Sequence, residues 1–138
     1  MSSTTPPSLF EWAGGAPALR ALFTRFYERV ATEPALGPVF ARMDPAHAEH
    51  VAAFVGEVLG GPPAYSQQHG GHPQMIRKHV GRALTNDLRK RWVVLLLDVA
   101  DEVGLPDDPE FRSAFVAYLE WGSRLAVVNS QPGVDVTA

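Results

Sequence analysis

The feature that most constrains the fold is an apolar stripe with helical spacing, which glycine and proline interrupt at short intervals. Gly14, Gly15 and Pro17 open the first long segment, and proline suits the first turn of a helix. The apolar positions that follow recur every three or four residues: Leu19, Leu22, Phe23, Phe26, Tyr27 and Val30. No run of strand length alternates with period two. The sequence therefore predicts an all-α fold.

Further helices are indicated by the same periodicity and by signals at their ends. One helix is predicted to start after Asp44, a good N-cap, and to end at Gly60-Gly61. Thr85 is predicted to cap a second, long helix, and Asp108 is predicted to cap the last one. The region 60–73 is rich in glycine and proline, so we expect mostly loop there.

Length, charge and cysteine content narrow the class of protein. A chain of 138 residues with a formal net charge of −3 has the size of one domain and no basic footprint, so no nucleic-acid partner is expected. The sequence has no cysteine, which excludes disulfides and thiolate metal sites and fits the cytoplasm. The apolar stretch Trp92 to Val99 is too short to span a bilayer, so no membrane association is expected. We expect a disordered lead over 1–8, one domain over 9–130 and a flexible tail over 131–138.

A histidine, a tyrosine and a tryptophan all fall on apolar helix faces. His79 follows Met75 by four residues and Ile76 by three, so these three side chains share one face of a helix. Tyr27 and Trp92 lie on the apolar faces of two other predicted helices. A lone histidine on such a face is more often a core residue. The set of three suggests instead a buried haem with His79 on the iron.

Several local sequences, taken together, resemble the group II truncated haemoglobins, small globins with a two-over-two helical sandwich around a haem. The resemblance covers roughly residues 9–133 and includes the spacing between His79 and Trp92. The other matching segments lie in turns and helix ends: Gly14-Gly15, Phe26 to Val30, Gly60 to Ser66, Gly71 to Pro73 and Val128 to Ser130. The resemblance implies the truncated-globin fold and haem b, iron protoporphyrin IX, as the cofactor.

The resemblance also implies roles for individual residues. It makes His79 the proximal ligand of the iron and directs Tyr27 into the distal pocket. Phe40 corresponds to the aromatic residue that packs on the haem. His47 corresponds to the position facing the sixth coordination site, one turn before Val51. This chain departs from the family's pattern at His47, where many members have a small residue, and at Leu59, where many have an aromatic one. The residues that follow His79 (Val80, Gly81 and Arg82) also differ from the more common sequence.

Three side chains are candidate hydrogen-bond donors to a bound diatomic ligand: Tyr27 through its hydroxyl, and Trp92 and His47 through their ring N–H groups. The alternative for each is a core side chain bonded to backbone. His50 could be a second distal residue. His47 and His50 could instead form a metal pair, but no third ligand follows at a suitable spacing.

The remaining contacts to the haem are expected from two sets of residues. Arg77, Lys78 and Arg82 flank His79 and could pair with the haem propionates, or they could form a solvated basic edge. Apolar contacts to the porphyrin are expected from the following residues: Val51, Phe54, Val55, Met75, Ile76, Leu95 and Leu96.

The leading functional hypothesis is a haem protein that binds dioxygen and other diatomic gases and performs redox chemistry. It would convert nitric oxide to nitrate or reduce peroxide, with His47 transferring a proton in the second case. An external reductase is expected, because the sequence has no flavin or nicotinamide motif. The alternative is a non-catalytic gas sensor or oxygen-binding module. In that case the apolar segment Trp92 to Val99 could serve the interface of a homodimer. Whether the protein is an enzyme stays open.

Overall fold

The computed structural model describes residues 7–41, 43–68 and 84–131. All regular structure in these ranges is helical, which confirms the all-α prediction. The helices, in chain order, are α1 (Leu9–Ala13), α2 (Gly15–Val30), α3 (His47–Val58), α4 (Ala64–Gln68), α5 (Asn86–Val103) and α6 (Pro109–Asn129). Within the same ranges, no helix has both the length and the apolar character that a membrane crossing requires.

Two helix starts have the capping residues that the sequence predicts. The Thr85 hydroxyl accepts a hydrogen bond from the Leu88 N–H at 3.2 Å, at the start of α5. An Asp108 carboxylate oxygen accepts one from the Glu110 N–H at 2.8 Å, at the start of α6. Each cap satisfies a backbone donor that has no partner within the helix. Local sequence therefore determines where these two long helices begin.

The start of α3 differs from the prediction. The helix begins at His47, whereas the sequence signal placed its start directly after Asp44. The reason is local: the Asp44 carboxylate accepts a hydrogen bond from the Ala46 N–H at 2.7 Å and closes a turn before the helix. His47 consequently occupies the first turn of α3.

The core forms where α2 packs against α3 on one side and α5 on the other. Helix α6 covers α5, and α1 lies against α2 and α6. The largest fully buried apolar side chains of the three long helices meet in this core: Leu19, Leu22, Phe23, Phe26, Leu96, Val99, Phe111 and Phe115. Burial of each such side chain stabilises the fold by roughly 1.5–3 kcal/mol. The predicted stripe of α2 is therefore the centre of the protein.

Tyr118 and Val94 are more exposed than the periodicity predicts. The helical spacing of Phe111, Phe115 and Tyr118 predicts that Tyr118 is on the buried side of α6, but it is 42% exposed, and the neighbouring Trp121 is 50% exposed. The run of apolar residues around Val94 predicts that α5 is covered on most sides, but Val94 is 59% exposed. Helix α6 packs into the core through Phe111, Phe115 and Leu119, whereas Tyr118 and Trp121 face solvent and a cavity.

The end of α6 is tied to the start of α5 by side-chain hydrogen bonds. The Leu84 N–H donates to Ser130 Oγ at 2.9 Å, and Gln131 Nε2 donates to the Leu84 carbonyl at 3.0 Å. Ser130 is fully buried, and its hydroxyl donates to the Val127 carbonyl at 2.8 Å. Both backbone groups of Leu84 are thus held by the two residues that follow α6. This clamp positions α5, the helix that carries Trp92.

Candidate functional site

A cavity of about 570 Å³ is bordered by residues of α2, α3, α5 and α6. Its size falls within the roughly 300–1,000 Å³ usual for small-molecule and cofactor sites. Helix α3 contributes an apolar wall of residues that are half-buried because they face the cavity: Val51, Phe54, Val55 and Val58. A few polar side chains converge on this mainly apolar space, as in most ligand sites.

Two of the predicted distal residues, Tyr27 and His47, meet the predicted haem contact Phe40 on one wall of the cavity. The Tyr27 ring lies 4.9 Å from the His47 ring and 5.5 Å from the Phe40 ring, measured between centroids. The Phe40 and His47 rings are 6.0 Å apart. Tyr27 Oη and His47 Nε2 are 3.2 Å apart, within hydrogen-bond distance. Trp92 lines the same cavity, so the structure brings all four residues to one site.

The Tyr27 hydroxyl is the polar centre of this group. Burial raises the pKa of Tyr27 well above its ordinary value, and a hydrogen bond with the Trp92 side chain lowers that pKa in part. Tyr27 therefore remains a neutral phenol at physiological pH. The indole N–H is a donor and never an acceptor, so the Tyr27 oxygen accepts from Trp92 and keeps its own hydrogen for another partner.

The tautomer of His47 decides where the Tyr27 hydrogen points. If His47 carries its proton on Nδ1, then Nε2 accepts the Tyr27 hydrogen. If Nε2 is protonated, His47 donates to Tyr27, and the Tyr27 hydrogen is available to a ligand in the cavity. The position of the proton on His47 thus determines whether the Tyr27 hydroxyl donates to His47 or to a ligand in the cavity.

The residues predicted to contact the cofactor divide into three groups. Phe40, Val51, Phe54, Val55 and Trp92 line the cavity. Leu96 is fully buried in the core and, like Leu95, is not among the described lining residues, since these side chains of α5 pack in the core. A third group lies outside the described residues: Met75, Ile76, Arg77, Lys78, His79 and Arg82. The axial ligand and the propionate partners therefore stay predictions.

The alternative of a metal pair at His47 and His50 gains no support in the part of the chain that the structure describes. Both histidines line the cavity. Within residues 7–41, 43–68 and 84–131, no cluster of three or more histidine, cysteine or acidic side chains could hold a metal ion. Asp44 lines the cavity as well, but its carboxylate is engaged by the Ala46 N–H.

Sequence reasoning missed a buried cation on the cavity wall. Arg89 lines the cavity with its side chain only 4% exposed, and its Nη1 donates to the Glu120 carboxylate at 2.6 Å. Arg89 Nε donates to Asn86 Oδ1 at 3.3 Å. Hydrogen bonds from Arg124 and Arg89 lower the pKa of Glu120. A buried guanidinium needs such a partner. Asn86 is a local signal, three residues before Arg89, but Glu120 is 31 residues away and gives none.

Comparison with known proteins agrees with this fold. A family model described as bacterial-like globin matches residues 8–121. The group 2 truncated haemoglobin YjbI of Bacillus subtilis is 36% identical over 110 residues, which are 80% of this chain and 81% of that protein. The crystal structure of a truncated oxygen-avid haemoglobin from Bacillus subtilis superposes with a TM-score of 0.76 at 33% identity, covering 88% of this chain and 99% of that one.

A second solved structure supports the same assignment. The group II 2-on-2 haemoglobin from Agrobacterium tumefaciens has a TM-score of 0.74 at 30% identity, and the match covers 96% of this chain and 99% of that one. The resemblance and the fold class expected from the sequence are both confirmed. This chain belongs to the bacterial-like globin family and is a group II truncated haemoglobin with the two-over-two helical fold.

Proposed function

We propose that the cavity holds haem b, with His79 as the axial ligand and with Tyr27, Trp92 and His47 beside the position of a diatomic ligand. Globins bind haem and diatomic gases such as oxygen, which supports the general assignment. The observation that carries the proposal is the convergence of the Tyr27 phenol and of the N–H-bearing rings of His47 and Trp92 on a mainly apolar cavity of about 570 Å³.

The described residues fit a large, flat and mainly apolar group. Val51, Phe54 and Val55 of α3 are apolar side chains left half-buried at the cavity, and Phe40 adds an aromatic ring. These residues would hold the porphyrin. The sequence predicts that Met75 and Ile76 would add apolar contacts and that Arg77 and Arg82 would pair with the propionates, because a guanidinium binds a carboxylate bidentately.

Bound haem supplies an iron with a coordination position for a diatomic ligand. The protein supplies the donors. Tyr27 keeps its proton because burial disfavours the phenolate, and its oxygen accepts from Trp92, so its hydrogen is directed to His47 or to the ligand. A hydrogen bond to a charged or strongly polarised partner contributes roughly 1.5–3 kcal/mol. Such donors slow ligand release, which favours redox use of the ligand over bulk oxygen carriage.

The redox reactions that this site supports are the oxidation of nitric oxide to nitrate and the reduction of peroxide. Both consume electrons that must come from outside, and the sequence has no flavin or nicotinamide motif to supply them. In peroxide reduction, His47 is placed to move a proton, because its Nε2 lies at the cavity within reach of the Tyr27 hydroxyl.

The axial ligand is tested with the visible spectrum of the haem-reconstituted protein. We expect a sharp Soret band in the parent and its loss or displacement in His79→Ala. The matched control is His72→Ala, which removes a histidine seven residues earlier and should leave the band unchanged. A parent that takes up no haem specifically would overturn the proposed function.

The distal donors are tested with the oxygen dissociation rate. Tyr27→Phe removes the hydroxyl and keeps the ring, so we expect the rate to rise by roughly 10- to 100-fold, the equivalent of one charge-assisted hydrogen bond. Tyr65→Phe is the control, since Tyr65 is buried but is not among the residues that line the cavity. An unchanged rate in Tyr27→Phe would contradict the assigned role. Rapid oxygen exchange, together with no catalytic turnover in the presence of any reductant, would favour the gas-sensor alternative.

A further inference from the structure

A second, smaller concavity adjoins the large cavity of about 570 Å³ at the surface between α3 and α6. It measures about 300 Å³, and its described lining residues are all apolar or aromatic: Val58, Ala117, Tyr118 and Trp121. Three of these four, Val58, Tyr118 and Trp121, also line the large cavity. These three side chains therefore form a wall that the two spaces share. We call the four residues together the Tyr118–Trp121 surface.

Tyr118 and Trp121 are unusual in meeting both solvent and the large cavity. They lie three residues apart on α6, about one turn, and their exposed fractions are 42% and 50%. Among the described residues, they are the aromatic side chains that line both spaces. Tyrosine and tryptophan are also the aromatic side chains that lose an electron most readily. Each of the two side chains therefore borders both the surface concavity and the large cavity.

We propose that the Tyr118–Trp121 surface docks a small aromatic one-electron donor, such as a phenol or an aromatic amine, and that these two side chains pass its electron to the group in the cavity. The inference rests on the proposed function, which requires electrons from outside the chain. The uncharged lining suits a neutral ring, which can pack on the Tyr118 and Trp121 rings in stacked or edge-on geometry. A space of about 300 Å³ is at the small end of ligand sites, which suits a single ring.

The chemistry balances for peroxide as the oxidant. Two donor molecules each lose one electron and one proton and leave as neutral radicals. Hydrogen peroxide accepts the two electrons and two protons, its O–O bond breaks, and two water molecules leave. The electrons pass through Tyr118 and Trp121, and a tyrosine that takes part releases its phenol proton and regains it. His47, which lines the same cavity, delivers protons to the peroxide oxygen.

The electron relay is tested in the haem-reconstituted protein with hydrogen peroxide and guaiacol as the probe. In the double variant Tyr118→Phe/Trp121→Phe, both rings remain but neither is readily oxidised. We expect kcat for guaiacol oxidation to fall at least tenfold. Rapid-freeze electron paramagnetic resonance, with peroxide and no guaiacol, should show a protein radical in the parent and none in the double variant. Trp12→Phe is the matched control, because Trp12 packs on Phe111 and is not among the described residues that line either space.

The docking step is tested separately through KM. Ala117 lines the concavity and is not among the residues described as lining the large cavity, so Ala117→Glu places a charge where the neutral ring would sit. We expect the KM for guaiacol to rise at least fivefold with kcat unchanged. Val128→Glu is the control, since it adds the same charge to an exposed position of α6 that lines neither space.

Guaiacol turnover at the parent rate in the double variant would overturn the inference. It would also be overturned if Ala117→Glu converted a dimeric parent to a monomer, by size-exclusion chromatography with light scattering, and left KM unchanged. The surface would then be a contact between copies of the chain. A parent without a Soret band would overturn the proposed function itself. The two failures are distinguishable, because haem uptake is recorded before turnover.

Discussion

Helices α2 and α3 have the same kind of apolar stripe, but the two stripes are buried to different extents. Leu19, Leu22, Phe23 and Phe26 of α2 are fully buried in the core. The stripe of α3, from Val51 to Val58, is only half-buried because it faces a cavity. The comparison teaches that helical periodicity identifies a face to be covered and leaves open what covers it. Side chains cover the face of α2, and we propose that a cofactor covers the face of α3.

Tyr27 belongs to both regions. It lies on the buried stripe of α2, with its ring 4.8 Å from that of Phe26, and its hydroxyl reaches the cavity wall beside His47. Packing in the core fixes the orientation of the Tyr27 ring, and its hydroxyl is left at the cavity, where it can form hydrogen bonds. The packed core therefore holds the Tyr27 hydroxyl, a hydrogen-bond donor, in a fixed position at the cavity.

The largest expected effect is a direct test of this contrast. Phe26→Ala should reduce the free energy of unfolding by about 3–5 kcal/mol, because it opens a hole in a filled core. Val55→Ala should cost less than about 1.5 kcal/mol in the haem-free protein, because Val55 already faces open space. Urea denaturation at neutral pH measures both. Equal losses would mean that α3 is packed as tightly as α2.

The next largest effect is expected from the hydrogen bond between Leu84 and Ser130, which joins the end of α6 to the start of α5 beside the cavity. Ser130→Ala removes the acceptor of the Leu84 N–H and should cost about 1–3 kcal/mol. Ser123→Ala, within α6, removes a hydroxyl whose hydrogen bond among the described residues is to the Glu120 carbonyl of the same helix, at 3.3 Å. It should change stability by less than about 0.5 kcal/mol. Urea denaturation measures both losses of unfolding free energy. Comparable losses in Ser130→Ala and Ser123→Ala would mean that the hydrogen bond between Leu84 and Ser130 does not stabilise the fold.

A third test uses pH to examine Tyr27, the residue that the two regions share. Its pKa is raised in the folded state, so folding retains a proton that the unfolded chain releases above its ordinary pKa of 10.0. The stability contribution is complete below that value and is lost as the pH rises above it, by at most about 1.4 kcal/mol per pH unit. Tyr27→Phe should make the decline between pH 9 and pH 11 shallower than in the parent, and Tyr118→Phe should leave it as steep as in the parent. A parallel decline in both variants would contradict burial of the phenol.

The smallest effect is expected at the surface end of α3. The Ser66 hydroxyl and N–H donate to the two Glu57 carboxylate oxygens at 2.6 and 3.0 Å, and these bonds lower the pKa of Glu57. The tie between α3 and α4 is therefore present at neutral pH and is lost as the pH falls through the lowered pKa. Ser66→Ala should raise the pKa of Glu57, measured by NMR titration, and change stability by no more than about 0.5 kcal/mol, because the site is solvated. An unmoved titration would contradict the tie.

Much of the fold follows from local sequence. Thr85 and Asp108 start α5 and α6 because their side chains accept from backbone donors two or three residues ahead. The stripe of α2 is buried as its spacing predicts. The meeting of Tyr27, Phe40 and His47 was expected through the family resemblance, and the structure places the three together. Where a signal lies within one helix turn, or in a pattern shared with relatives, the sequence is enough.

The tertiary structure alone decided the features that join distant segments. The pairing of Arg89 with Glu120 spans 31 residues and that of Leu84 with Ser130 spans 46, so no local pattern announces either. The exposure of Tyr118 and Trp121 is of the same kind, because it depends on where α6 leaves the core. Side-chain spacing determines which face of a helix is apolar. Whether that face meets another helix, a cavity or solvent depends on how the helices pack, which is a property of the whole chain.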